Sequence, residues 1–231
     1  MKLTEASLLR RWERPLASGI AITVAGRAGT LGALVRDRLT GAQLLLGTAH
    51  VMMPRDSFGA AVWQPAPCGQ HGCACNRVGE TVRAVSAVVA WNGHHYYLDA
   101  AVAVLETDVE AAPSNFPEIC AADRGVRVWK HGAATGRTTG VVLDHRHVET
   151  AMLWNGNRHA PNQILIRSLP GNAGPDGVGR FAAAGDSGAL VFDEKDRVVG
   201  LLWGASRSGE AVACHIGPLL DSLAIDIEVR T

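Results

Sequence analysis

Charge of one sign, long apolar runs and a disulfide framework are all missing from this chain. Lysine plus arginine and aspartate plus glutamate each number 22, so the formal net charge of the 231 residues is zero. Nothing in that balance draws the chain to nucleic acid or to an anionic membrane surface, and neither is expected as a partner. The longest apolar stretch, residues 42–51, is interrupted by Gln43 and His50. It falls well short of the roughly 20 residues that a membrane-spanning helix needs. The opening dozen residues carry Lys2, Glu5, Arg10 and Arg11 and no unbroken apolar core of the secretory kind. The five cysteines are an odd number with three of them in one short loop, unlike a secreted disulfide scaffold. A cytosolic location is therefore the expectation. What is plentiful is apolar content, at 47%, ordinary for a globular protein and too high for a disordered one.

Helical periodicity is scarce as well. Residues 4–12 could form a short amphipathic helix and residues 218–223 a short closing one. Between them lie short apolar or β-branched runs, at residues 19–24, 29–36, 42–46, 81–90, 96–105, 126–130, 140–144, 163–168, 190–192, 198–203 and 211–216. Gly, Asp and Thr punctuation separates them. Many short strands with little helix predict an all-β sandwich or barrel. Residues 111–117, rich in Ala and Pro, suit a linker, which divides the chain into 1–112 and 113–231. The four glycines and one proline of residues 171–179 mark the most mobile internal loop.

The chemistry centres on Gly185-Asp186-Ser187-Gly188, a turn followed at once by an apolar run. Flanking glycines let the backbone bend sharply, hold a side chain out, and leave amides free to face a ligand. A serine so placed could be a nucleophile, with the Gly185 and Ser187 amides facing the charge that grows on an attacked carbonyl. The tetrapeptide alone also fits an ordinary polar loop. His50 ends a strand-like run, where a histidine is more often just solvated or hydrogen-bonded. Asp99 is one carboxylate inside the apolar run 98–105, where an unpartnered charge would be costly. An imidazole is a chemically apt partner for it, and a backbone amide is the plainer one. The order His50, Asp99, Ser187 is that of the chymotrypsin-type triad and of neither the subtilisin nor the α/β-hydrolase arrangement.

On these residues the chain resembles the trypsin-like (chymotrypsin-fold) serine peptidases over nearly its whole length. Thr48-Ala49-His50 is similar to the family's histidine motif, residues 99–103 (Asp-Ala-Ala-Val-Ala) to its aspartate motif, and Gly185-Asp186-Ser187-Gly188 to its serine motif. Residues 200–204 resemble the substrate-aligning strand. Residues 130–142 read K-x-G-x-x-T-G-x-T-x-G-x-V, similar to a segment of intracellular, disulfide-free trypsin-like peptidases of plants and bacteria. Read without the resemblance, that segment is the Gly/Thr-rich start of a hairpin. The resemblance implies two six-stranded antiparallel β-barrels, His50 and Asp99 on the first, Ser187 on the second, and the site in the cleft between them. It implies proton transfer from Ser187 to His50, orientation of the imidazole by Asp99, and an oxyanion hole at Gly185 and Ser187. Val51 and Ala183 stand where secreted relatives carry cysteines, so two usual disulfides cannot form. Secreted relatives also pair the acid before the serine with a freed N-terminus. Whether Asp186 has a charged partner stays open.

By the same resemblance the side chain preceding the cut would meet Phe181, Leu202, Trp203, Gly204 and Ala211. None is charged, which disfavours a basic side chain there and favours a small or apolar one. Cys214 and His215 lie behind this pocket as packing residues, although His215 could reach it and favour an acidic side chain. The activity implied is a serine endopeptidase acting on one or a few protein or peptide substrates, with no cofactor for catalysis. Bacterial relatives often accompany defence or regulated-proteolysis systems in which a partner switches them on. The alternatives are a catalytically silent protease fold that serves as a binding module, and an esterase.

The Cys-rich insertion, residues 66–77, offers Cys68, His71, Cys73 and Cys75 within eight residues. Four such ligands suit a tetrahedral structural zinc, with His94 or His95 able to replace His71. The plainer reading is reduced thiols on a surface insertion. The zinc reading predicts one zinc per chain in purified protein, lost in Cys73→Ser; metal analysis that finds no stoichiometric zinc sinks it.

Overall fold

The computed structural model describes residues 11–54, 58–66, 76–114, 116–150, 156, 159–172, 179–206 and 209–227. Fourteen strands and two short helices make up its regular structure. The first half contributes β1 (Ala21–Val24), β2 (Arg27–Thr30), β3 (Ala33–Asp37), β4 (Gln43–Gly47), α1 (Ala49–Met52), β5 (Ala61–Trp63), β6 (Arg77–Trp91) and β7 (His94–Leu105). The second contributes β8 (Arg127–Gly132), β9 (Gly136–Glu149), β10 (Ala160–Ser168), β11 (Leu190–Asp193), β12 (Val198–Ala205), β13 (Ala211–His215), α2 (Ile216–Leu223) and β14 (Ile225–Ile227). The closing helix begins two residues before its expected start. The N-terminal helix expected over residues 4–12 falls mostly outside the described residues.

Two-residue turns set the register of the first sheet. Ala25 and Gly26 (φ 47° and 79°) join β1 to β2, and Asn92 and Gly93 (φ 46° and 78°) join β6 to β7. Both residues of each turn have positive φ, the geometry whose twist matches paired strands. The β6–β7 hairpin then runs antiparallel from Trp91↔His94 to Gly79↔Leu105.

Strands β8 to β13 close into the expected six-stranded barrel, in the order β10-β13-β12-β11-β8-β9. The first sheet departs from the expected second closed barrel. It has eight strands in the order β14-β3-β4-β7-β6-β5-β1-β2 and curls without closing. Its two edges are occupied otherwise. The Thr30 amide at the end of β2 donates to the Ser187 carbonyl at 2.8 Å instead of to a strand of its own sheet. The free edge of β3 takes up β14, the last described strand, with Ile225 opposite Asp37 and Ile227 opposite Val35.

Three buried clusters follow from this arrangement. Ile22, Leu34, Leu45, Val62 and Ala103 fill the curled sheet, and Val128, Ile164, Val191 and Leu202 fill the barrel. Leu46, Tyr97 and Leu98 of the sheet meet Leu190, Val198 and Leu219 in the core between them. None of the described helices is long and apolar enough to cross a membrane.

Ile225 is fully buried on a strand that ties the chain's end to its beginning. Ile225→Ala should cost about 2–5 kcal/mol of global stability, read from the shift in the urea unfolding midpoint; a cost under about 0.5 kcal/mol would show that β14 is dispensable.

Candidate active site

Thr48 sits in extended conformation (φ −88°, ψ 147°) before the single turn of α1, so the chain leaves β4 and places His50 on that turn. Asp99 lies in β7, fully buried, and its carboxylate is engaged by His50 twice. Oδ2 is 2.7 Å from the imidazole Nδ1, and Oδ1 accepts the His50 backbone N–H at 3.0 Å. A carboxylate accepts only, so the ring proton is on Nδ1, which leaves the Nε2 lone pair as the basic position. Cys214 Sγ accepts the Asp99 backbone N–H at 3.3 Å, and burial and the Asp99 charge raise the thiol's pKa. Cys214 is therefore a buried, neutral thiol packed behind Asp99.

Ser187 follows a turn that brings it to the same cleft, a space of about 350 Å³ lined by Arg27, Ala28, His50, Val51, Ala184, Gly185 and Ser187. Its hydroxyl donates to the Trp203 carbonyl at 3.4 Å, and no hydrogen bond joins it to His50. At that length the bond is weak, and rotation about χ1 frees the hydroxyl. Gly185, at φ 98°, turns the backbone so that its amide and that of Ser187 have no acceptor among the described residues. Two free N–H groups beside a hydroxyl can hold a developing oxyanion. The structure thus brings His50, Asp99, Gly185 and Ser187 together.

The charged partner that the sequence left open for Asp186 is Lys130. Both side chains are fully buried, with Lys130 Nζ 3.1 Å from Asp186 Oδ2. Asp186 also accepts the amides of Ala134, Thr135 and Ala183 at 2.9, 3.1 and 3.0 Å and the Thr135 hydroxyl at 2.7 Å. The Lys130 ammonium donates in addition to the Thr135 hydroxyl and to the Gly136 carbonyl. Any Cβ at position 132 would collide with the Asp186 carboxylate. The K-x-G-x-x-T-G segment is thus a receptor for Asp186, in which lysine supplies charge, Gly132 supplies room, and residues 134–135 supply donors. The signal was in the sequence, but only its hairpin role was legible without knowing what it faces.

Thr30 is a second residue that the sequence reading missed. Its amide donates to Ser187 O, its hydroxyl donates to Gly185 O at 2.8 Å, and the same hydroxyl accepts the Ala133 amide at 3.0 Å. Gly188 (φ 102°) lies so close to the Thr30 carbonyl that a Cβ there would overlap it. The serine turn is thereby held by the curled sheet as well as by the barrel.

The residues assigned to a substrate pocket have different surroundings, although Leu202, Trp203 and Gly204 are consecutive on β12 and Ala211 lies on its neighbour β13. Phe181, Leu202 and Ala211 are buried in the barrel core. Trp203 belongs to the core between the sheets, its indole N–H donating to Gln163 Oε1 at 2.7 Å. At Gly204 a Cβ would meet open space. His215 does not line the cleft of Ser187. It lines a separate cavity of about 710 Å³ with Trp91, Tyr96 and His145, and its Nε2 lies 2.8 Å from the His145 carbonyl. Burial lowers its pKa and keeps it neutral, so it is not placed to select an acidic side chain beside Ser187. Cys68, His71, Cys73 and Cys75 lie outside the described residues, among which no group of three His, Cys, Asp or Glu could hold a metal. Most of the loop expected at residues 171–179 lies outside them too.

No family model matches this sequence, and neither does any curated protein. Solved structures do. A Nocardiopsis protease superimposes with a TM-score of 0.63 at 17% identity, over 92% of this chain and 98% of its own. Protease A of Thermobifida fusca gives 0.63 at 16% over the same shares. A glutamic acid-specific serine protease gives 0.61 at 15%, over 92% of this chain and all of that one. The fold is that of the chymotrypsin-like serine peptidases. At these identities the likeness is one of architecture, and the chemistry rests on the residues above.

Burial, only partly offset by Asp186, pushes the pKa of Lys130 below the usual lysine value of 10.5. In the window below 10.5 the folded chain gives up this proton before the unfolded chain does. Lys130 itself therefore takes nothing from global stability as pH rises, while Asp186 loses its counter-charge. Labelling of Ser187 by a fluorophosphonate should fall in that window ahead of any change in tryptophan fluorescence. Lys130→Met, which strands Asp186, should cost about 3–5 kcal/mol in denaturant unfolding; wild-type stability and labelling in Lys130→Met would remove Lys130 as the positioning residue.

Proposed function

We propose that this protein is a serine endopeptidase that works through His50, Asp99 and Ser187. The observation that carries the reading is the double grip of a fully buried carboxylate on His50, in a cleft shared with Ser187 and two unoccupied amides. That grip fixes Nδ1 as the protonated nitrogen and leaves Nε2 as a base. As a peptide enters, the Ser187 hydroxyl turns from the Trp203 carbonyl toward Nε2. It then gives up its proton while its oxygen attacks the substrate carbonyl, whose oxyanion the Gly185 and Ser187 amides receive. His50 returns the proton to the departing amine, and an acyl-enzyme remains on Ser187. Water then repeats the sequence with His50 as base, and the acid product leaves. One oxyanion donor is worth about 2.7–4 kcal/mol in such sites.

In this reading Lys130 does the work that a freed N-terminus does in secreted relatives. The anchor of Asp186 is internal to the chain, so assembly of the site needs no cleavage of the polypeptide. What remains to be set is the rotation of Ser187, which substrate or an activating partner would supply.

A fluorophosphonate probe should label the wild type at Ser187 and leave Ser187→Ala unlabelled. Asp99→Asn, which no longer imposes the tautomer, should retain the fold and lose about 10⁴-fold in kcat on peptides. Labelling that survives Ser187→Ala, or none in the wild type with peptide present, would turn the reading toward a non-catalytic binding module.

A further inference from the structure

The cleft beside Ser187 contains one permanent charge, and no carboxylate among the described residues neutralises it. Arg27 opens β2 directly after the Ala25-Gly26 turn, is exposed, and lines the cleft with Ala28, His50, Val51, Ala184, Gly185 and Ser187. Its Nη1 donates to the His50 carbonyl at 2.6 Å. Among the described residues it has no carboxylate partner, whereas Arg38, Arg77, Arg83, Arg167 and Arg197 each have at least one. The carbonyl takes one donor. The other N–H groups of the fork are left for a second acceptor, the geometry in which arginine binds a carboxylate.

The position of Arg27 also decides which half of a substrate it meets. The Trp203 carbonyl of β12 lies against the Ser187 hydroxyl on one side. The lining that includes Arg27 contains no residue of β12 or β13 and lies on the side of His50 and the turn before Ser187. His50 hands its proton to the departing amine, so the leaving half of the peptide runs past the imidazole and toward β2. We infer that Arg27 selects substrates with an aspartate or glutamate in the first two residues after the scissile bond. This rests on the serine-peptidase reading and adds to it the chemical class of the leaving segment. His50 is the other titratable side chain on the lining, and no acidic group there competes for the guanidinium. The site is open to solvent, so the selection weakens as added salt screens it.

The test is digestion of a proteome-derived peptide library by the wild type, Arg27→Gln and Arg27→Glu, with the residues after each cut counted by mass spectrometry. In the wild type, acidic residues should be enriched about three- to tenfold at one of those two positions. The enrichment should vanish in Arg27→Gln and pass to lysine and arginine in Arg27→Glu. A library cut without acidic enrichment overturns the inference and leaves the peptidase reading intact. So does a variant that cuts every sequence more slowly while the enrichment persists, because Arg27 would then only support the His50 carbonyl. A library left uncut by the wild type removes the peptidase reading and this inference with it.

Discussion

The buried pair of Lys130 and Asp186 is the interaction on which the site depends. Taking both charges out of water is costly, and their attraction alone rarely repays it. Here the remainder comes from hydrogen bonds: three backbone amides and a threonine hydroxyl converge on one carboxylate. Asp186 is the residue immediately before Ser187. Fixing its carboxylate fixes the peptide plane that carries the Ser187 amide, and Thr30 holds the Gly185 carbonyl on the other side. An ion pair of doubtful net value to the fold thus acts as a positional constraint on the groups that face the cleft.

The remaining constraints come from the other sheet. Thr30 holds the serine turn through Gly185 and Ser187, and Gly188 lets the two backbones meet. His50 is placed by a turn at the end of β4 and locked by Asp99 on the neighbouring strand β7. Each half of the molecule carries part of the constellation, and the halves are aligned by a shared apolar core and by the hydrogen bonds of Thr30 to the serine turn. The architecture is shared with the Nocardiopsis and Thermobifida proteases at 16–17% identity. Strand pairing and close approach constrain residue size and backbone shape more than they constrain residue identity.

Much of the strand pattern was legible because alternation of side chains and turn residues are local properties. Closure of a barrel is not local, and here the expectation of two closed barrels failed on one edge. The amide of Thr30 found a better-placed acceptor in the serine turn than in its own sheet, and β14 arrived from the far end of the chain to pair with β3. No window of sequence around residue 30 or residue 226 contains that outcome.

The candidate triad was legible for a different reason. A carboxylate in an apolar run, a histidine at a strand end and a serine between glycines are each chemically conspicuous, and their order restricts the alternatives. The sequence by itself therefore determined which side chains could do chemistry, and that an all-β chain with little helix would carry them. Tertiary structure alone decided that Lys130 answers Asp186, that Phe181 and Ala211 are packing residues of the barrel core, and that His215 faces a different cavity. The physical reason is sequence distance. Lys130 and Asp186 are 56 residues apart, and a hydrogen-bond partner so far along the chain is set by how strands β8 and β11 lie side by side, which neither local segment specifies.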